Sequence, residues 1–208
     1  MSLPSGYKQL EYIQSSGTQW IDTGVKPNQN TKVEMKVSTT EGTSSNVPYL
    51  FGAQDSNNYF VATWVLAFGS GLVTSGIDLY DGVAHDVKVE NGVLYKDGTA
   101  IAHGQASTFN ISVSIGLFAV HSTRVSNTFG VCKVYSCKIY NNGVLVRDFT
   151  PCKNADGVVG LWDDVNSSFY SNAGTGTFIA GPVVNLGGIF VKVNGVWKQI
   201  DNVTVNVR

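Results

Sequence analysis

The chain has 208 residues, 43% of them hydrophobic and only 14% charged, and its formal net charge is −1. The apolar fraction supplies a buried core and excludes an intrinsically disordered chain. The near-zero charge, with lysine and arginine scattered singly, excludes the basic field that attracts nucleic acid. No stretch approaches the roughly 18 apolar residues of a membrane span, so we expect neither nucleic acid nor membrane insertion.

Short runs that alternate apolar and polar residues recur along the chain, separated by Gly, Asn, Asp and Ser, and helical periodicity is almost absent. In the first 80 residues these runs predict strands over 7–14, 18–23, 31–39, 47–53, 59–68 and 72–79. The polar segments at 41–46 and 54–58 are predicted to be loops.

Residues 84–104 predict a three-stranded meander, because Asn-Gly and Asp-Gly pairs between alternating runs are typical of hairpin turns. Within it we expect Val87 to face Tyr95 and Val89 to face Val93. A strand over 111–120, poor in charge, follows.

The clearest element is a hairpin over 131–153, in which alternating runs flank Asn141-Asn142-Gly143. Gly143 suits the left-handed backbone that such a turn requires. We predict a three-residue loop that places Tyr140 opposite Val144 and stacks apolar side chains across the two strands.

The alternative for this hairpin is a two-residue turn, which would set Lys138 beside Arg147, two like charges. In the preferred register Arg147 stands on an apolar face. We therefore expect it to pair with Asp163 or Asp164 as a structural clamp.

Family resemblance lies in the sequence YSCKIYNNGVLVRDFTPCKN, in the following GVVGLWDDVNSSFYSNAGTGTF and in the opening LPSGYKQLEYIQSSGTQWIDTG. Together they resemble a concanavalin A-like lectin/glucanase domain, the laminin-G-type jelly roll found in phage structural and bacterial surface proteins. The resemblance covers Leu3 to about Pro182. It implies an all-β fold: a two-sheet antiparallel β-sandwich, or jelly roll, over 1–182.

Composition shifts after Pro182, where residues 183–208 form a glycine step followed by two alternating runs. We predict a C-terminal β-hairpin appendage, similar to short modules at the ends of phage tail and fibre proteins. A lone hairpin is marginal in water, so it is expected to dock on the sandwich, on other virion proteins or on copies of itself. The predicted docking residues are Phe190, Val191, Val193 and Trp197.

The three cysteines, Cys132, Cys137 and Cys152, argue against a closed disulfide framework because their number is odd. We expect reduced, buried and inert thiols. Cys132 and Cys137 are five residues apart on one predicted strand, so they are expected to face opposite sides.

Catalytic patterns are missing from the sequence. Glycoside hydrolysis needs two carboxylates on the same side of a cleft, and none of the four glutamates has an acid at i+2 or i+4. There is no nucleophile elbow, and we expect His121 to be an exposed histidine at the end of a loop. We therefore predict a protein that is not an enzyme, with glycoside hydrolase as the least favoured alternative.

Sugar binding uses an aromatic platform with planar polar groups beside it, and both occur near predicted strand ends. The candidate carbohydrate-binding residues are Asp55, Asn57, Asn58, Tyr59, Asp81, Arg124 and Asn127. Further aromatic residues, Phe60, Trp64, Tyr80, Trp162 and Tyr170, are expected to lie mostly in the core. Asp55, Asn57 and Asn58 also offer hard oxygen ligands, so calcium is a possible cofactor; otherwise we predict none and assign no metal site.

These observations predict a non-catalytic phage virion structural, decoration or fibre protein that binds a host cell-surface glycan. The start of the chain, Met1 to Gly6, has no leader pattern, so synthesis in the host cytoplasm is expected. The alternative is a bacterial surface adhesin or a carbohydrate-binding module of a larger protein, located at the cell surface.

Overall fold

A computed structural model describes residues 3–39, 49–63, 65–74, 79, 81–105, 107–124, 127–184, 189–193 and 196–200. For 72–74, 189–193 and 196–200 it describes the backbone only. The predicted loop at 41–46 lies outside these ranges.

The described residues form short strands, numbered here in chain order. They are β1 (Lys8–Gln9), β2 (Ile13–Gln14), β3 (Ile21–Asp22), β4 (Lys32–Ser38), β5 (Phe51–Gln54), β6 (Tyr59–Ala62), β7 (Val65–Gly69), β8 (Gly71–Thr74), β9 (His85–Glu90), β10 (Val93–Lys96), β11 (Thr99–His103), β12 (Gly116–Leu117), β13 (Ala119–Ser122), β14 (Thr128–Phe129), β15 (Lys133–Asn141), β16 (Val144–Lys153), β17 (Val159–Asp163), β18 (Ser168–Tyr170), β19 (Ile179–Ala180), β20 (Ile189–Val193) and β21 (Val196–Ile200).

All but the last two strands belong to two sheets. The larger sheet has the order β11-β10-β9-β4-β15-β16-β17-β18, with β1 beside β16 and β2 between β15 and β19. The smaller sheet has the order β14-β13-β5-β6-β7-β8, and β12 joins β3 to β5. Within the described ranges there is no helix, and so none that is long and apolar enough to cross a membrane. The predicted all-β sandwich is confirmed.

One continuous hydrophobic core fills the space between the two sheets. The larger sheet contributes the alternate residues of β4 that the sequence predicted to face inward, Val33, Met35 and Val37. The smaller sheet contributes a row of rings, Phe51, Phe60 and Phe68, whose neighbouring centroids lie 5.7 and 6.0 Å apart. Burial alternates along β4 and β9 of the larger sheet, whereas β7 of the smaller sheet is buried along its whole length.

The hairpin of β15 and β16 forms, but with a different turn. Asn141 lies opposite Val144, so the turn contains only Asn142 and Gly143. Both have positive φ, 50° and 81°, as a two-residue type I′ turn requires. The predicted three-residue loop, with Tyr140 opposite Val144, is wrong.

The like-charge contact that argued against this turn does not occur, because the strands contain a β-bulge. Val146 is the extra residue on β16, since Tyr140 pairs with Leu145 and Ile139 with Arg147. Beyond the bulge Lys138 lies opposite Asp148, and Lys138 Nζ is 3.2 Å from Asp148 Oδ2. A repulsive pair is thereby replaced by an attractive one.

The same turn chemistry shifts the meander. Strands β9, β10 and β11 form as predicted, but the Asn-Gly turn between the first two again has two residues. The predicted pairs, Val87 with Tyr95 and Val89 with Val93, are therefore displaced by one residue. Tyr95 instead lies opposite Lys88.

Two predicted strands are interrupted by turns that the sequence does not signal. The run predicted as one strand over 59–68 contains two strands, β6 and β7, which pair as a hairpin. The turn was not predicted because a continuous apolar run does not show where the chain reverses. In 111–120 only the last part is extended, and the chain reverses at Phe118, whose φ is 65°. The runs at 7–14 and 18–23 form only short strands, and β2 and β3 lie in different sheets.

All three cysteines are free and buried. Cys132 and Cys137 belong to the same core cluster, so the prediction that they face opposite sides is wrong. A register shift between Val134 and Ser136 changes the phase of β15 between them. Burial raises the pKa of all three thiols, that of Cys152 to about 12.

The predicted C-terminal hairpin is present as β20 paired with β21 in a separate two-stranded sheet. Sandwich pairing continues slightly beyond its expected end at Pro182, since the Val184 amide donates to the Gln9 carbonyl at 2.9 Å. The side chains of the predicted docking residues lie outside the described part of the chain, and docking stays a prediction.

Candidate functional site

The candidate site lies at one rim of the smaller sheet, where β5 and β13 end side by side. These strands are parallel, with Ser122 opposite Gln54, and the Thr123 amide donates to the Gln54 carbonyl at 3.2 Å. Theirs is the one parallel pair among the described strands. Because parallel strands end at the same edge, residues 55–58 and 123–124, which follow the two strands, leave the sheet next to each other.

Asp55 holds the first loop in shape. Its Oδ1 accepts from the amides of Asn57 and Asn58, at 3.1 and 3.0 Å, and its Oδ2 accepts from the Ser112 amide at 3.1 Å. Partial burial by itself raises the pKa of Asp55, but these amide hydrogen bonds outweigh it and lower the pKa below its ordinary value. The carboxylate is therefore a structural anchor, and both of its oxygens are already used.

Arg124 and Tyr59 form the polar centre of the rim. Arg124 Nη1 donates to the Tyr59 hydroxyl at 2.8 Å. The Tyr59 ring packs on a small apolar cluster on the outer face of the smaller sheet, formed by Val61, Ala67 and Val120. An anchored ring thus positions an exposed guanidinium.

The three asparagines predicted for this site surround the same loops. Asn127 Oδ1 accepts from the Ser122 amide at 3.2 Å, which leaves its NH₂ group pointing away from that bond. Asn57 is exposed and Asn58 is half-buried. The structure therefore brings six of the seven predicted residues together at one rim: Asp55, Asn57, Asn58, Tyr59, Arg124 and Asn127.

The seventh residue, Asp81, belongs to a different cluster in the larger sheet. Asp81 lies 3.0 Å from His85 Nε2, and Asp97 Oδ2 lies 2.7 Å from His85 Nδ1. The amide of Val83 and the ring of His85 both lower the pKa of Asp81. This Asp-His-Asp cluster ties the entry to β9 to the turn between β10 and β11. This cluster was not predicted, because Asp97 lies in a later turn and meets His85 only when β9 and β10 pair.

A different surface, which the sequence analysis did not predict, is a groove of about 360 Å³ on the outer face of the larger sheet. Its lining includes Lys36, Asp86, Lys88, Tyr95 and Lys138. Most of these residues alternate along their strands with residues of the core. The period-two pattern that predicts the core therefore also predicts which side chains face this groove.

The aromatic rings of this outer face already carry cations. Lys88 Nζ lies 4.2 Å from the Tyr95 ring centroid, and Lys32 Nζ lies 3.9 Å from that of Tyr140. Lys88 also pairs with Glu90 at 2.8 Å. A sugar ring stacking there would have to displace these contacts, so we favour the rim over the groove.

A serine–histidine–aspartate group occurs near β12, but its order is not that of a nucleophile triad. Ser114 Oγ donates to Asp22 Oδ1, and His121 Nδ1 donates to the Ser114 carbonyl at 3.1 Å. In a triad the histidine lies between the other two and accepts the serine proton. His121 is half-buried against Trp20, with ring centroids 5.0 Å apart, so the prediction of an exposed loop histidine is wrong.

The remaining predicted aromatics divide between core and edge. Phe60 is fully buried. Trp162 and Tyr170 are half-buried and make edge contacts with Tyr7 and Phe149 respectively, at 5.4 and 5.1 Å. Trp64 and Tyr80 lie outside the described residues.

The predicted calcium ligands do not form a ligand set of their own. Amide donors occupy both oxygens of Asp55, and in the described ranges no group of three or more His, Cys, Asp or Glu side chains could hold a metal ion.

The fold and rim thus define an all-β sandwich with a pre-shaped polar edge. Comparison of the chain with protein-family models, curated proteins and solved structures found no match.

Proposed function

We propose that this chain is a non-catalytic structural protein of a phage virion whose sandwich binds host-surface carbohydrate at the rim that holds residues 55–59, 122–124 and Asn127. The assignment to a virion rests on the sequence resemblance to concanavalin A-like jelly rolls of phage structural proteins. The carbohydrate assignment rests on the rim, because fold alone does not define a ligand.

The observation that carries the proposal is the Arg124–Tyr59 contact. A phenol and a guanidinium are held in a fixed geometry by an apolar cluster below and by hydrogen-bonded loops on either side. Amide groups of three asparagines lie in the same loops. Fixed planar donors beside an aromatic ring match the hydroxyl-rich face of a sugar, and preorganisation lowers the entropic cost of binding.

The electrostatics of the carboxylates support the non-catalytic form of the proposal. A glycosidase needs one carboxylic acid whose pKa is raised so that it can donate a proton. Where the structure resolves a shift among described carboxylates, as for Asp55, Asp81, Glu90 and Asp97, the pKa is lowered. These groups accept hydrogen bonds and stay ionised.

The alternative, a bacterial surface adhesin or a carbohydrate-binding module of a larger protein, would use the same rim. It differs in where the protein is located. Detection of the native protein in purified particles or on a cell surface separates the two.

A glycan array tests the proposed function. The full chain should bind a defined subset of glycans, with or without calcium, and Arg124→Ala should lose that binding. Tyr95→Ala, which alters the groove on the larger sheet, is the matched control and should keep it. Loss of binding in Tyr95→Ala alone would move the site to the groove. No binding to any glycan would refute the proposal.

A further inference from the structure

The ligand class can be narrowed by the charge of the rim. The chain has only three arginines, Arg124, Arg147 and Arg208. Arg147 is used internally, since its Nε donates to the Thr23 carbonyl at 2.9 Å and lies 3.6 Å from the buried Asp163. Arg124 is exposed, and no carboxylate of the described residues lies within 4 Å of it.

Among the described residues, Arg124 makes one side-chain hydrogen bond, which orients its guanidinium group without neutralising the positive charge. Nη1 donates to the Tyr59 hydroxyl, which is uncharged. A guanidinium has five N–H donors in a planar fork that matches a carboxylate bidentately. The Tyr59 hydroxyl accepts from Arg124 and keeps its own hydrogen available to donate. The remaining N–H groups of Arg124 and the hydroxyl hydrogen of Tyr59 are therefore donors on two adjacent groups of the rim.

The nearby carboxylate of Asp55 does not compete for Arg124. Both of its oxygens are bonded to backbone amides of its own loop and of Ser112. The rim thus holds a fixed positive charge whose partner is missing from the described chain. Charge-assisted bonds of this kind are about twice as strong as neutral ones.

We propose that the rim recognises an acidic sugar, and that Arg124 and Tyr59 bind its carboxylate while the asparagine amides contact its hydroxyls. This inference rests on the proposed function, because it names the ligand class of the same site. A neutral sugar would leave the fork of Arg124 unmatched.

The experiment compares ligands that differ only in charge. Oligosaccharides ending in a uronic acid or in a sialic acid are titrated into the full chain alongside the methyl esters of the same oligosaccharides. We expect the acids to bind about ten- to a hundredfold more tightly than the esters, and raised salt to narrow the gap.

Matched variants assign the preference to the rim. Arg124→Gln should abolish the difference between acid and ester, Arg124→Lys should retain part of it, and Tyr59→Phe should reduce acid binding by about two- to tenfold. Lys8→Gln removes the same charge from an exposed position on β1 and should change nothing.

The possible failures are distinguishable. Equal binding of acid and ester overturns the acidic-sugar inference and leaves the proposed function standing. Preference for a sulfated sugar that lacks a carboxylate overturns the carboxylate assignment. No binding of acid, ester or sulfated sugar overturns the inference, and no binding to any glycan of the array overturns the proposed function with it.

Discussion

Arg147 shows how a single residue that contradicts the binary pattern can be explained by a partner distant in the chain. It is only 17% exposed, and its Nε lies 3.6 Å from Oδ2 of the fully buried Asp163. Asp163 also accepts from the Asp148 amide at 3.0 Å and from Asn166 Nδ2 at 2.8 Å. The predicted clamp to Asp163 or Asp164 is confirmed, with Asp163 as the partner.

Replacing Arg147 with methionine should lower the free energy of unfolding by about 3–5 kcal/mol, because it leaves a buried carboxylate without its counter-charge. Urea unfolding of the two proteins measures the difference. Lys138→Met is the matched control: its pair with Asp148 is 44% and 28% exposed, and the loss there should be at most about 1 kcal/mol. Equal losses in both variants would contradict the clamp.

Turn geometry determines how the strands of the two Asn-Gly hairpins pair. Asn142 and Gly143 both have positive φ, and the same two-residue geometry recurs at Asn91-Gly92. Each turn sets the register of the residue pairs next to it. The register then sets which side chains meet on the outer face, including the contact of Lys88 with Tyr95.

Gly143→Ala should lower the free energy of unfolding by about 1–2 kcal/mol, because a left-handed backbone strains any residue that has a Cβ. A Cβ there would meet nothing within 4 Å, so the loss is conformational and not steric. Gly71→Ala is the control: its φ lies outside the left-handed region and its nearest neighbour is the flexible end of Gln105. An unchanged urea midpoint for Gly143→Ala would contradict the turn assignment.

The Asp-His-Asp cluster makes a pH-dependent link between elements. The Asp86 amide and then His85 lower the pKa of Asp97 below its ordinary 3.8. A lowered pKa means that the folded state favours the ionised form. Its contribution is therefore present above about pH 4 and is lost as the pH falls through the folded value.

When the pH is lowered from about 5 to about 3, the free energy of unfolding should therefore fall less in Asp97→Asn than in the unmodified protein, which gives a shallower slope with pH. Urea unfolding at both pH values measures this slope. Asp156→Asn, at an exposed position to which no described residue donates a hydrogen bond, should keep the full slope. An Asp97→Asn slope as steep as that of the unmodified protein would show that the cluster does not couple to folding.

The chain as a whole shows what alternation can and cannot predict. Period-two patterns identified the inward residues of β4, the meander and both hairpins, because burial of one face is written locally. The registers were missed where turn length and a bulge decide them, because alternation within one strand specifies neither the two-residue turns nor the extra residue Val146.

The candidate site was predicted as a set of residue types but not as a place. Asp55 and Arg124 come together only because β5 and β13 run parallel, and nothing in either strand's sequence specifies that pairing. The Asp97–His85 contact was missed because it forms only when β9 and β10 pair. The groove residues Lys36 and Lys88 were visible as outward alternates and were not recognised.

The C-terminal hairpin gives a prediction about assembly. Ending the chain after Val184 keeps the described pairing to Gln9 and should leave the thermal midpoint of the sandwich unchanged. If the hairpin docks on copies of the same chain, the number of chains per particle, calculated from the mass measured by light scattering, should fall after truncation. An unchanged number of chains per particle would exclude self-association through this segment.

Mapping a bound glycan by NMR tests whether the rim of the smaller sheet is the binding site. Backbone amide shifts are recorded while an array-selected oligosaccharide is added to the full chain. We expect the shifts to change at 55–59 and 122–124 and at Asn127, and not on the outer face of the larger sheet. Changes centred on Lys36, Lys88 and Tyr95, with the rim unaffected, would contradict it.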